Sequence, residues 1–239
     1  MVGILWMFIT AGPLAGQTPG PPSGGIPPED RFIYHPLPDA LIHTRRGDYY
    51  LSQLWQETPL LFTMVYTRCR GVCYPFTHSL KSVIPQVGGL GKDYRIVVIS
   101  FDPNDTVESM ENMATITGVQ EDENWIFGVA SAEDIHRLAE SVGYWARYDS
   151  TRQQFDHPAV LIGVQRGGVI VRFLVGATVV PGRLYEVIRE LRGEFIPAYP
   201  LPRKNVIFSC FQYDPTRGIV IDWGFLLLLL PGVVTIGGT

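Results

Sequence analysis

Cysteine is scarce in this chain. Its 239 residues contain three, too few for a disulfide scaffold. An excess of one charge is also missing, because the formal net charge is only −4. No long basic run exists, so nucleic-acid binding has no support. No internal repeat is visible, which argues against a solenoid. Aliphatic, aromatic and charged residues stand at globular levels. The length suits one sizeable domain with appendages.

Two of the three cysteines are close together, in FTMVYTRCRGVCYPFTH at 62–78. An apolar, β-rich run (Leu60, Leu61, Phe62, Met64, Val65, Tyr66) feeds Cys69 and Cys73. Phe76, Leu80, Val83 and Ile84 then recur at helical spacing. Pro75 suits a first helical turn, where a missing N–H costs nothing. The pair is therefore expected where a strand ends and a helix begins. A helix N-terminus favours thiolate over thiol, and a thiolate is both a nucleophile and a soft metal ligand. Two inert, buried cysteines are the bland alternative. The strand-to-helix placement argues against it. Cys210 stands apart, with no role assigned.

Along the chain, Arg46-Gly47-Asp48 reads as a hairpin turn. Leu60 to Thr67 and Arg95 to Phe101 read as strands buried on both faces. The cysteine helix should stop or kink at Pro85. Asp105-x-x-Glu108 reads as a capping box opening a helix. Trp125 to Val129 is a short strand, and Ser131 caps a helix that Gly143 ends. Ala159 to Val164 and Val169 to Val175 form a hairpin around Arg166-Gly167-Gly168. A last helix carries Leu184, Val187, Ile188 and Leu191. A β-α-β core followed by β-β-α, with a cysteine pair after the first core strand, resembles thioredoxin: α/β, with a central mixed sheet flanked by helices.

Residues 1–16 resemble a secretory signal, with an apolar core from Ile4 to Ile9 and small residues after it. Residues 17–28, rich in Pro and Gly, read as a linker. The folded domain is expected over 29–196 and a connecting segment over 197–218. From Ile219 to Thr239 the chain is apolar, with Asp222 as its single charge. At about 1.5 Å per residue it would span roughly 30 Å, so a transmembrane helix is expected. From these features the folded domain is expected on the outer, periplasmic face of the cytoplasmic membrane.

A metal site needs a third ligand besides two sulfurs. His157, in Phe155-Asp156-His157-Pro158, precedes a hairpin strand. In a thioredoxin-like fold that loop lies beside the cysteine turn. The expectation is that His157 lies within about 10 Å of the sulfurs, close enough to close a ligand set whose softness suits copper. Asp156 or Asp102 is expected to orient the imidazole. His78 points off the sulfur face. His35, His43 and His136 have no partner nearby in sequence.

YTRCRGVC at 66–73, VISFDP at 98–103 and FDH at 155–157 together resemble the Sco/SenC family. The likeness runs from about Ile33 to Gly193. FSCFQYDPTRG at 208–218 with the apolar segment after it looks like a bacterial branch of that family. Members often have Pro directly after the second cysteine, whereas this chain has Tyr74 there and Pro75 next. The resemblance implies a thioredoxin fold and copper, Cu(I) or Cu(II), on Cys69, Cys73 and His157. It also implies assistance in assembling the copper A centre of cytochrome c oxidase, with the oxidase subunit carrying that centre, or another respiratory complex, as partner. Two further readings stay open. Cys69 and Cys73 could be the redox pair of a thiol–disulfide oxidoreductase, with no need for His157. The domain could also be a non-catalytic accessory subunit of a membrane respiratory complex.

Overall fold

The computed structural model describes residues 25–194, 211–214 and 218–221. By backbone contacts the chain divides into two compact units, Met1–Phe195 and Ile196–Thr239.

The first unit is built on a seven-stranded mixed sheet. Its elements are β1 (Leu41–Thr44), β2 (Gly47–Tyr50), α1 (Leu51–Glu57), β3 (Leu60–Val65), α2 (Cys73–Val87), β4 (Arg95–Ser100), α3 (Val107–Thr117), β5 (Trp125–Val129), α4 (Ala132–Ser141), β6 (Arg147–Asp149), β7 (Gln154–Asp156), β8 (Val160–Val164), β9 (Ile170–Val175) and α5 (Pro181–Leu191). The sheet order is β2-β1-β5-β4-β3-β8-β9. Strands β3, β4 and β5 run parallel, while β1 and β8 flank them antiparallel. Hairpin β6–β7 stands apart as its own two-stranded sheet. The architecture is the thioredoxin-like one expected.

Strand β3 is central, between β4 and β8, and all six of its residues are buried. A strand covered on both faces needs a continuous apolar run, which explains LLFTMV. Thr63, its one polar member, donates its hydroxyl to the Val160 carbonyl at 2.8 Å. A buried hydroxyl is tolerated when it is so paired. Helix α2 packs against α3 and α5 and buries Phe76, Leu80, Val83 and Ile84 on the expected stripe.

Several local expectations need correction. Pro85 does not stop α2, which continues to Val87. It lies in the final turn, where few bonds remain to be lost. The box opening α3 is Thr106 with Ser109, which exchange side-chain and backbone hydrogen bonds, rather than Asp105 with Glu108. Asp105 is engaged elsewhere, by Thr67. Helix α1 and hairpin β6–β7 were not foreseen.

The second unit contains an antiparallel hairpin of β10 (Phe211–Asp214) and β11 (Gly218–Ile221). The expected membrane helix from Ile219 is corrected at its start, because 219–221 are extended. Three consecutive β-branched residues there favour strand pairing over helix. Among the described residues, no helix is long and apolar enough to cross a membrane. The rest of that segment, the signal-like residues 1–16, most of the linker and Cys210 lie outside the described residues.

Candidate metal centre

The first part of the site is the turn from β3 into α2. Tyr66 is buried at the end of β3. Beyond it, Thr67 donates its N–H to Asp105 Oδ2 at 2.8 Å and its hydroxyl to Oδ1 at 2.6 Å. Ser100 at the end of β4 donates to the same carboxylate at 2.6 Å. Tyr74, where the family often has Pro, spans the turn by donating its hydroxyl to the Thr67 carbonyl at 3.0 Å. The residue before helix α2, Val72, makes no side-chain cap. The Cys73 N–H points at Cys69 Sγ, 3.5 Å away. Both cysteines are free thiols and buried.

The second part comes from far along the chain. His157, half-buried between β7 and β8, places Nε2 3.5 Å from Cys73 Sγ and 3.9 Å from Cys69 Sγ. The three ligand atoms all lie within 4.8 Å of one another. Rings of Phe101, Tyr66 and Tyr144 surround the imidazole at centroid distances of 5.2, 5.5 and 6.2 Å. Neither Asp156 nor Asp102 orients it, which corrects that expectation. Asp156 is drawn away by Arg152 and Arg147. Asp102 is held by Arg68 and Asn104. Burial pushes its carboxyl up, but the Asn104 N–H and Arg68 outweigh that and hold it low.

Tyr144 does the orienting. Its hydroxyl lies 2.9 Å from His157 Nδ1 and 3.3 Å from the Met64 carbonyl. The Pro158 carbonyl is 3.1 Å from the same nitrogen. A carbonyl can only accept, so the arrangement puts the ring proton on Nδ1 and leaves the Nε2 lone pair toward the sulfurs. Gly143 precedes Tyr144 and turns the chain at φ +63°, and a Cβ there would clash with the Phe32 ring. Sequence reasoning recovered Gly143 as a helix end but missed Tyr144 beside it.

Gln154 was also missed. Its Oε1 accepts the Arg70 N–H and the Tyr66 hydroxyl, each at 3.0 Å, and its Nε2 donates to the Arg68 carbonyl at 3.2 Å. One amide thus grips the main chain on both sides of Cys69. The other histidines are elsewhere: His43 pairs with Asp48, His136 with Glu140, and His35 with the Arg31 carbonyl.

The two thiols share one proton unequally. A hydrogen bond from Cys73, helped by the N–H groups of Cys73 and Gly71, overcomes burial and brings Cys69 down to about 3. Cys73 moves up, because it keeps the proton it gives to Cys69 and because it is buried. The resting site is one thiolate, one thiol and one imidazole.

That donor set fits a soft metal ion. With metal–thiolate and metal–imidazole bonds of about 2.3 and about 2.0 Å, a trigonal site separates sulfur from nitrogen by about 3.7 Å. The observed 3.5 and 3.9 Å bracket that spacing. Two sulfurs and one imidazole favour copper over hard ions.

The sequence matches the SCO1/SenC family model over residues 44–192, and the chain belongs to that family. No curated protein matches it. Among solved structures, a proposed electron transfer protein from Aquifex aeolicus VF5 is 26% identical, with a TM-score of 0.64, covering 68% of this chain and 95% of its own. The ScoI protein of Arabidopsis thaliana, solved with copper bound, is 20% identical at a TM-score of 0.56, covering 66% of this chain and 99% of its own. The ScoI protein of Bradyrhizobium japonicum, also with copper bound, is 19% identical at a TM-score of 0.54, covering 67% and 100%. The last two likenesses concern the fold.

Proposed function

We propose that Cys69, Cys73 and His157 bind one copper ion, which the protein delivers to a cysteine-bearing oxidase site. The acceptor implied by the family is the copper A centre of cytochrome c oxidase. The observation that carries the reading is the convergence of two sulfurs and a bare imidazole nitrogen within 4.8 Å. Copper-bound ScoI proteins with the same fold support it.

In this reading copper is cargo, and the chain's own residues do the work around it. Cys69 is already a thiolate, so metal entry displaces a single proton, from Cys73. Tyr144 and Pro158 fix the tautomer. The aromatic rings limit water on one side, while half-buried His157 leaves an open edge for handover. Two thiolates hold Cu(I), and the imidazole makes Cu(II) acceptable.

The test is an anaerobic Cu(I) titration and a Cu(II) spectral titration of wild type and His157→Ala. The expected result is one copper per chain, with His157→Ala weakening Cu(II) more than Cu(I). Equal Cu(II) affinity and spectra in both proteins would remove the reading.

One observation favours a second reading, thiol–disulfide exchange on cysteines of a respiratory subunit. A low-pKa Cys69 with a protonated Cys73 beside it suits attack and resolution. In that case His157→Ala would keep reductase activity, and copper would bind no better than to a generic dithiol.

We also place the domain at the outer face of a membrane, on the strength of the apolar segments at 4–9 and 222–239. Cell fractionation after deletion of residues 218–239 tests this. A truncated chain that still resists carbonate extraction would show that the segment is not an anchor.

A further inference from the structure

The surface beside the cysteine turn is cationic, although the chain as a whole carries −4. Arg68 and Arg70 lie on the turn, and Arg147 and Arg152 on hairpin β6–β7, which Gln154 ties to that turn. The side chains of Arg68, Arg147 and Arg152 are 62, 71 and 59% exposed. Their carboxylate partners are recessed: Asp102 is 0% exposed, Asp156 33% and Asp149 29%. Each ion pair is therefore a dipole with its positive end outward. Arg70 is exposed as well. Tyr148, 55% exposed, adds a ring held in place against Phe155 at a centroid distance of 5.2 Å.

Arg and Tyr are the residue types that most often carry interface energy. A guanidinium offers five donors in a rigid fork matched to carboxylates. Arg152 spends Nε on Asp149 at 2.7 Å and one Nη on Asp156 at 2.8 Å, which fixes its orientation and leaves donors free.

We propose that this arginine and tyrosine rim docks an acidic protein surface, the Asp- and Glu-bearing border of the acceptor, against the cysteine–histidine site. What is handed over there rests on the copper reading, but the docking does not. A protein fits better than an anionic lipid sheet. Discrete oriented forks select discrete carboxylates, which a lipid sheet does not offer.

The test uses the metal-free full chain and a labelled Glu-rich peptide whose cysteines are replaced by serine, so neither metal nor disulfide contributes. Its control is the same peptide with Gln for Glu. Fluorescence anisotropy should give about tenfold tighter binding of the Glu peptide at low ionic strength, falling as salt rises. The double variant Arg70→Glu with Arg147→Glu should lose that preference. Arg166→Glu, a single charge reversal of the same kind at the β8–β9 turn at the opposite end of β8 from His157, should keep it. Equal binding of both peptides, or an equal loss in Arg166→Glu, would overturn the proposal. So would binding to phosphatidylglycerol vesicles without binding to the Glu peptide. Cu(I) titration of the same preparations separates the two readings. Copper loading without peptide preference removes the rim alone, and peptide preference without loading removes the copper site alone.

Discussion

The two halves of the site are held by different means. The cysteine half is local: both sulfurs sit within five consecutive residues, and a helix N-terminus supplies the N–H that faces Cys69. The histidine half is assembled over distance. Its orienting contacts come from Tyr144, from the Pro158 carbonyl and from the rings of Tyr66 and Phe101. A local half stays formed whenever the turn and helix form. A distant half depends on the packing of the whole domain, and it can be loosened without unfolding anything.

The largest effect is expected from breaking the local half. Cys69→Ser or Cys73→Ser should abolish stoichiometric Cu(I) binding, measured by competition with a chromogenic chelator. Next comes Tyr144→Phe, which removes the hydroxyl beside Nδ1 but keeps the ring. Loss of such an orienting partner costs about tenfold or more in metal affinity. It should appear chiefly in Cu(II) binding and leave Cu(I) nearly unchanged. Equal losses for both ions would show that Tyr144 serves the fold rather than the imidazole.

A smaller effect sharpens the contrast between the two thiols. Carbamidomethylation should label Cys69 first, with a rate that falls little from pH 8 to pH 5, because it is brought down to about 3. Ordinary thiols near pKa 8.5 slow about tenfold per pH unit in that range. Cys73 should resist until the protein unfolds. Single labelling at Cys73 in the native state would reverse the assignment of the proton.

The smallest effect is on stability. Between about 3 and the ordinary thiol range, the unfolded chain binds two protons at these sulfurs and the folded chain one. Stability from the pair therefore rises with pH in that window. Above the ordinary range the unfolded chain binds none while Cys73 keeps its proton, so stability falls again. Urea midpoints of wild type minus those of the double variant Cys69→Ser with Cys73→Ser should trace this dome with a maximum near pH 8 to 9. A flat difference would mean that the two sulfurs do not share a proton.

The same division decides what could be read from the sequence. Strands β3, β4, β8 and β9 and the stripes of α2 and α5 were legible because their periods are local. The cysteine turn was legible for the same reason, and His157 through its place before β8. Tyr144, Gln154 and Asp105 were not. Asp105 follows a strand and precedes a helical stripe, which is how a cap looks, yet it binds Thr67, 38 residues away. Helix α1 starts directly after β2 and is steadied by Asp39, which accepts from the N–H and hydroxyl of Ser52. No turn residue marks that boundary. Hairpin β6–β7 is three residues a side, too short for alternation to register.

The Gln154 amide has one consequence for measurement. The Arg70 N–H ends on its Oε1 and on no main-chain carbonyl, so it exchanges with solvent only when that single side chain lets go. Its exchange rate is a clock for parting of the cysteine turn from hairpin β6–β7. Read with and without copper, that one amide proton would time how often the site opens.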